Sequence, residues 1–118
     1  MTERTRELWI DDETIALYAD AAKDWNPVHF DDDFARARGL QGRIAHGMIA
    51  GSALNALLTT TIGERWMSAG ELSLRFIRPC PPGQRITAFA DEVEAGVYTV
   101  GVRDADGELI IVGEARAK

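Results

Sequence analysis

The chain changes its hydrophobic period part-way along. Ile15, Tyr18, Ala19 and Ala22 recur at helical spacing and make one apolar stripe. Asp11 or Asp12 stands where a capping carboxylate would take up the free amides of that helix's first turn. Asn26-Pro27 is expected to stop it, because the residue before a proline is pushed out of helical geometry. Residues 7–10 predict a short strand ahead of this helix. The acids at 31–33 predict the cap of a second, short helix that runs through Arg38 and ends at Gly39. Residues 46–62 are apolar on nearly every side, which predicts a helix wrapped by other structure. Gly47 and Gly51 near its start permit close approach of backbone or ligand. Beyond it the period becomes two. Leu72, Leu74 and Phe76 alternate with Ser73, Arg75 and Ile77, a strand ending at Pro79. Strands are expected at 85–94, 97–103 and 108–117, separated by turn chemistry at Ala95-Gly96 and at 104–107. One buried helix followed by an antiparallel meander is an α+β order, a single domain with a curled sheet around a central helix.

Composition narrows the function classes. A chain of 118 residues has single-domain length and can bury roughly two-thirds of its unfolded surface. With 46% apolar and 27% charged residues, disorder and collagen-like structure are excluded. Nineteen acids against thirteen bases give a net charge of −6, the wrong sign for a general nucleic-acid binder. The charge is uneven: residues 11–33 carry −7, residues 35–90 carry +5 and residues 91–118 carry −4. This describes either solvated faces of alternating sign or a local basic surface suited to an anionic ligand or acidic partner. Cys80 is alone, so no intrachain disulfide is expected, and Pro79, Pro81 and Pro82 around it suggest a loop. One cysteine and two histidines make no zinc spacing unless carboxylates complete the set, so no metal is expected. Residues 44–63 contain no Asp, Glu, Lys or Arg, yet His46, Ser52, Asn55 and Thr59 to Thr61 are costly in lipid. A buried helix, with no membrane partner, is the expectation. The first thirteen residues are too charged for a signal peptide, which points to a cytoplasmic protein.

Two short runs carry chemistry. In Asp24-Trp25-Asn26-Pro27-Val28-His29 a carboxylate and an imidazole lie five residues apart across a proline-fixed turn. Such a turn can aim both into one cleft as an acid–base pair; the same residues would also serve as a cap and a satisfied turn histidine. In Ile44-Ala45-His46-Gly47-Met48 the buried helix begins, and unpaired amides at a helix start can hold a carbonyl oxygen or oxyanion.

Together the runs resemble the MaoC-like dehydratases, which include the R-specific enoyl-CoA hydratases. Asp24, Asn26, Pro27, Val28, His29 and Asp31 match the family's Asp-x-Asn-Pro-hydrophobic-His-x-Asp pattern. Ala45 to Met48 match its Ala-His-Gly-Met run at the right distance, and Phe76 to Gly83 resemble its strand and Pro-rich turn. The resemblance implies a hot-dog fold, dimerised edge to edge, which would cover an exposed strand edge. It implies reversible syn addition of water to a trans-2-enoyl thioester, giving an (R)-3-hydroxyacyl thioester. In that scheme Asp24 and His29 hold the water, His29 as base and Asp24 as acid, and the Gly47 amide bonds the thioester carbonyl. Asn26 is expected to hold the turn, Ala45, His46 and Met48 to border the thioester, and Trp25, Phe30, Phe34 and Leu40 to line the acyl tunnel. Arg36, Arg38, Arg43, Arg75 and Arg78 become candidates for coenzyme A phosphates or for the acidic face of an acyl carrier protein. No cofactor is required beyond the coenzyme A or pantetheine that belongs to the substrate.

The chain departs from the family's habits in places. Ala22-Lys23 precede Asp24 where Gly or Ser-Gly is common, Arg43 stands where Pro often does, and Pro82-Gly83-Gln84 replaces Pro-Gly-Asp. The segment before Asp11 looks short for a full first strand. Three further readings remain: a carrier-protein dehydratase running the reaction backwards, a hot-dog thioesterase, and a non-catalytic acyl-binding subunit of a heteromer. Residues 47–63 lack the helix carboxylate that many thioesterases use.

Overall fold

A computed structural model of the chain describes residues 3–118. Strand β1 (Arg4–Trp9) leads into helix α1 (Asp12–Ala22), a single 3-10 turn (Pro27–His29) and the short α2 (Asp32–Arg36). Then come the central helix α3 (Gly47–Ile62), a short α4 (Glu64–Ala69), and strands β2 (Glu71–Phe76), β3 (Arg85–Glu94), β4 (Val97–Arg103) and β5 (Leu109–Arg116). The strands form one antiparallel sheet in the order β1-β3-β4-β5-β2. Helix α3 lies against β3, β1 and β4. This is the hot-dog arrangement implied by the family resemblance.

The core forms where the helical and period-two patterns meet. Leu54 and Leu58 of α3 are fully buried against Ile86, Ala88 and Ala90 of β3 and Val100 and Val102 of β4. Burying one such leucine contributes about 1.5–3 kcal/mol, and the two alanines keep the sheet face shallow enough for the helix to sit close. At Gly101 a Cβ would come within 2.6 Å of the Ile111 carbonyl oxygen and 2.7 Å of the Phe89 ring, which is why β4 carries no side chain there.

Several boundaries differ from the sequence expectation. The front of the chain is not too short: β1 spans six residues and pairs with β3 from Arg4 opposite Ala90 to Trp9 opposite Arg85. The strand expected at 7–10 is therefore present but begins at Arg4, where mostly exposed residues show no alternation. Asp11 is the cap of α1, its carboxylate accepting from the Thr14 amide at 2.8 Å, and hydrogen bonding from Thr14 holds that carboxyl below its usual range. The helix stops at Ala22, before the proline, because Lys23 takes a left-handed conformation (φ 57°) and turns its N–H back onto Ala19 and Asp20. Helix α2 stops at Arg36, β2 at Phe76, and β5 begins at Leu109. Helix α4 is a further element, fastened where the Trp66 indole N–H donates to Asn55 Oδ1 at 2.9 Å. Nor is α3 wrapped on all sides: Met48, Ser52 and Asn55 form an exposed line along it.

Cys80 lies, as expected, in the loop between β2 and β3, but it is not an exposed loop thiol. It is buried, and its carbonyl accepts from the Ala45 amide at 2.8 Å, joining the segment after β2 to the start of α3. Burial pushes the thiol up to about 11, so little thiolate forms at neutral pH. A disulfide reagent at pH 8 should therefore label the native protein orders of magnitude more slowly than the protein in denaturant, read as thiolate release with time. Equal rates would show that Cys80 is accessible.

Candidate active site

The turn after α1 is built by its own side chains. The Asp24 amide donates to the Ala19 carbonyl at 2.9 Å, and Asp24 Oδ1 accepts weakly from the Asn26 amide at 3.3 Å. Asn26 Oδ1 accepts from the Val28 amide at 3.0 Å, so the side chain closes a turn on the backbone beyond the proline. Pro27 opens the 3-10 turn, where its missing N–H costs nothing. His29, at the end of that turn, is buried, and its Nδ1 donates to the Ile44 carbonyl at 2.8 Å. A carbonyl can only accept, so this bond puts a hydrogen on Nδ1, and in the neutral ring Nε2 is then a bare lone pair. Nε2 lies 3.7 Å from Asp24 Oδ2, too far for a direct hydrogen bond, with the carboxylate half exposed beside it. An imidazole nitrogen and a half-exposed carboxylate oxygen thus face each other across a 3.7 Å gap.

Against this pair lies the start of α3. The His46 ring stacks on His29 with centroids 3.6 Å apart, and its Nε2 donates to the Asp24 backbone carbonyl at 2.8 Å. Gly47 follows as the first residue of α3, so its N–H has no intrahelical partner. A Cβ there would come within 3.0 Å of the Phe76 ring. Tyr18, expected only as part of the α1 stripe, packs on His46 with centroids 4.9 Å apart. Phe76 at Gly47 and the Ile44 carbonyl under His29 are likewise contributions that no local pattern signals.

Other expected site residues are placed as follows. Trp25 stacks on Phe30 at 5.3 Å, and both are exposed beside the pair. Met48 is exposed and Ala45 buried. Leu40 lines a groove of about 490 Å³ formed by residues 39–44 and 78–82, which none of Asp24, His29 and Gly47 borders. Phe34 lies beneath the Arg38 guanidinium, 3.4 Å from its ring centre. Arg43 donates to Asp12 at 2.6 Å and to the His29 carbonyl at 3.3 Å, clasping α1 to the turn. Arg36 pairs with Asp33 at 3.2 Å and Arg78 with Glu108 at 3.3 Å. Among the described residues Arg75 has neither an ion pair nor a ring beneath it. Asp31 caps α2 through the Phe34 amide at 3.1 Å.

Asp24, His29 and His46 offer ligand atoms within 4.8 Å of one another, a donor set a metal could use. The rings, however, are inclined by only 26°. A metal must lie in the plane of each imidazole about 2.0–2.1 Å from nitrogen, and two near-parallel stacked planes offer no such common point. His29 Nδ1 and His46 Nε2 are also committed to carbonyls.

A family model described as "MaoC like domain" matches residues 2–109, nearly the whole chain. The chain belongs to the MaoC-like domain family. Within it, the chain is 31% identical over 100 residues to a mitochondrial 3-hydroxyacyl-[acyl-carrier-protein] dehydratase of Arabidopsis thaliana, covering 84% of this chain and 54% of that protein. It is 29% identical over 111 residues to the (R)-specific enoyl-CoA hydratase of Aeromonas caviae, covering 88% and 82%. The chain therefore spans about half the length of the Arabidopsis relative. The solved (R)-hydratase from A. caviae superposes with a TM-score of 0.78 at 22% identity, over 99% of this chain and 95% of that one, which shows the shared fold.

Proposed function

We propose that this MaoC-like domain catalyses reversible syn hydration of a trans-2-enoyl thioester to the (R)-3-hydroxyacyl thioester. The observation that carries the reading is the orientation of His29, whose Nδ1–H is spent on Ile44 so that a bare Nε2 faces Asp24 Oδ2 at 3.7 Å. Nε2 takes a proton from the bound water, and the hydroxyl oxygen forms its bond to C3. The π pair moves to C2 and the carbonyl oxygen, where the Gly47 N–H stabilises the enolate charge. Hydration in this direction requires Asp24 in its acid form; it delivers that proton to C2, and the proton gained by His29 returns through the pair. Run backwards, the same steps expel water. Acid and base both lie on one side of the turn, which suits addition to a single face of the double bond. Because the two groups are coupled, a measured pH profile belongs to the pair.

The two relatives' names divide between coenzyme A and carrier-protein thioesters, so both substrate classes fit the proposal. The test is loss of enoyl-thioester absorbance with crotonyl-CoA and the pure protein. Rapid loss supports the hydratase. Loss only with a crotonyl carrier-protein thioester supports the dehydratase, and free thiol release would replace both with a thioesterase.

The active form is proposed to be a dimer paired through β2. Leu72, Phe76, Ile77 and Met48 leave an apolar surface exposed beside that free edge. Antiparallel self-pairing with Ser73 on the two-fold axis sets Glu71 of each copy opposite Arg75 of the other and Leu72 opposite Leu74, a self-complementary arrangement. Arg75→Glu should shift sedimentation from dimer to monomer, and adding Glu71→Arg should restore the dimer. An unshifted single variant would discard this register.

A further inference from the structure

We propose that His46 is a positioning residue: held as its Nε2–H tautomer, it ties the main chain at Asp24 to the start of α3 and so sets the spacing between the Asp24–His29 pair and the Gly47 amide. The proposal rests on the reading of that pair and amide as the reacting centre. His46 Nε2 lies 2.8 Å from the Asp24 carbonyl oxygen, and because that oxygen can only accept, Nε2 carries the hydrogen. Nδ1 is then a bare lone pair, buried and without a partner. His29 is set the other way, with its hydrogen on Nδ1 and its lone pair on Nε2. The two imidazoles, stacked at 3.6 Å, are locked in opposite tautomers.

This resolves an apparent symmetry in the site. His29 Nε2 is 3.7 Å and His46 Nε2 3.9 Å from the same Asp24 Oδ2. Distance does not tell the two apart, but hydrogen bonding does: in the neutral rings only His29 presents a lone pair to Asp24 Oδ2. His46 is 3% exposed and covered by Tyr18 and His29, so it has no open face for a substrate. It is also the residue immediately before Gly47. One hydrogen bond from its ring therefore fixes Asp24 relative to the next amide along the chain.

The chain contains two histidines, so a long-range proton–nitrogen spectrum of protein labelled with 15N-histidine holds only two ring systems. Recorded above the ordinary histidine titration range, it should show one Nδ1–H and one Nε2–H ring, and His29→Ala should retain the Nε2–H pattern. A hydrogen on Nδ1 of His46 would overturn the proposal. This readout needs no turnover.

Kinetics test the tether itself. In His46→Gln the amide nitrogen takes the place of Nε2, in His46→Asn it reaches only as far as Nδ1 did, and His46→Phe keeps a ring without the bond. His46→Gln should keep kcat for crotonyl-CoA within about tenfold. The Asn and Phe variants should lose about a hundredfold in kcat at little-changed KM, the scale of a small misplacement of reacting groups. Thermal midpoints identify any variant that fails to fold, and the Gln variant, which replaces the bond, carries the test. Parent-like activity in His46→Phe would make the ring a core filler. A Gln variant as inactive as Phe, with one limb of the pH–rate profile gone, would make His46 an acid–base group. Either result overturns the tether. Opposite tautomers in a parent protein without hydration activity would instead sink the proposed reaction and leave the tether standing.

Discussion

Asp24→Asn and His29→Ala should each fold as the parent does and lose about 10²- to 10⁴-fold in kcat for enoyl-thioester hydration, the range that positioned acid–base groups contribute. Asp24→Asn is the sharper of the two. Its side-chain oxygen can still accept from the Asn26 amide as Asp24 Oδ1 does at 3.3 Å, so the turn survives. The other position, 3.7 Å from His29 Nε2, becomes an NH₂, which has no acidic proton to deliver to C2. His29→Ala removes the base, frees the Ile44 carbonyl and exposes one face of His46. Its melting temperature will fall somewhat, so it is compared at a temperature where circular dichroism shows it folded. Because the two groups act on one water, the double variant should be scarcely slower than either single one, the non-additivity expected of a unit. The proposed pair fails if either single variant stays within about tenfold of the parent, since that is less than a positioned acid or base supplies.

Gly47→Pro should lose about 10²- to 10³-fold in kcat relative to Gly47→Ala, the cost of deleting one oxyanion donor. The comparison isolates the amide. Both substitutions add a Cβ that meets the Phe76 ring at 3.0 Å, so both displace that ring alike. Proline differs by removing the N–H, at the helix position where proline is best tolerated. Its neighbour also permits it: His46 has φ −63° and ψ 129°, the extended geometry a following proline requires. Equal activity in the two variants would show that the Gly47 amide does not contact the developing charge. A proline variant that melts far below the alanine one would be read only from its folded fraction.

Much of the fold was legible because its elements announce themselves locally. Period-two alternation located β3 at 85–94 and β4 at 97–103 with the bounds they adopt, and the apolar segment 46–62 placed α3 to within a residue. What escaped was material without a local signature. The first half of β1, a mostly exposed edge strand expected only from residue 7, is placed by pairing with β3, and α4 is held by one indole reaching back to α3. The exposed line on α3 was missed because composition reports how apolar a helix is, not which side its neighbours leave open.

For the site, the sequence by itself determined the chemical inventory and its local frame. Asp24, Asn26, Pro27 and His29 lie within six residues, and hydrogen bonds spanning two to five residues build their turn. Short loops cost little entropy to close, so such geometry follows from residue type and order. Tertiary structure alone decided what each group does there. The Ile44 carbonyl, fifteen residues from His29, selects its tautomer, and His46, twenty-two residues from Asp24, anchors that carbonyl beside Gly47. The fold likewise withdrew Arg43 into a clasp with Asp12 and buried the Cys80 loop thiol as a support for the start of α3. A side chain's type sets what it can donate or accept; only the packed neighbours settle which nitrogen holds the hydrogen and which cation is already paired.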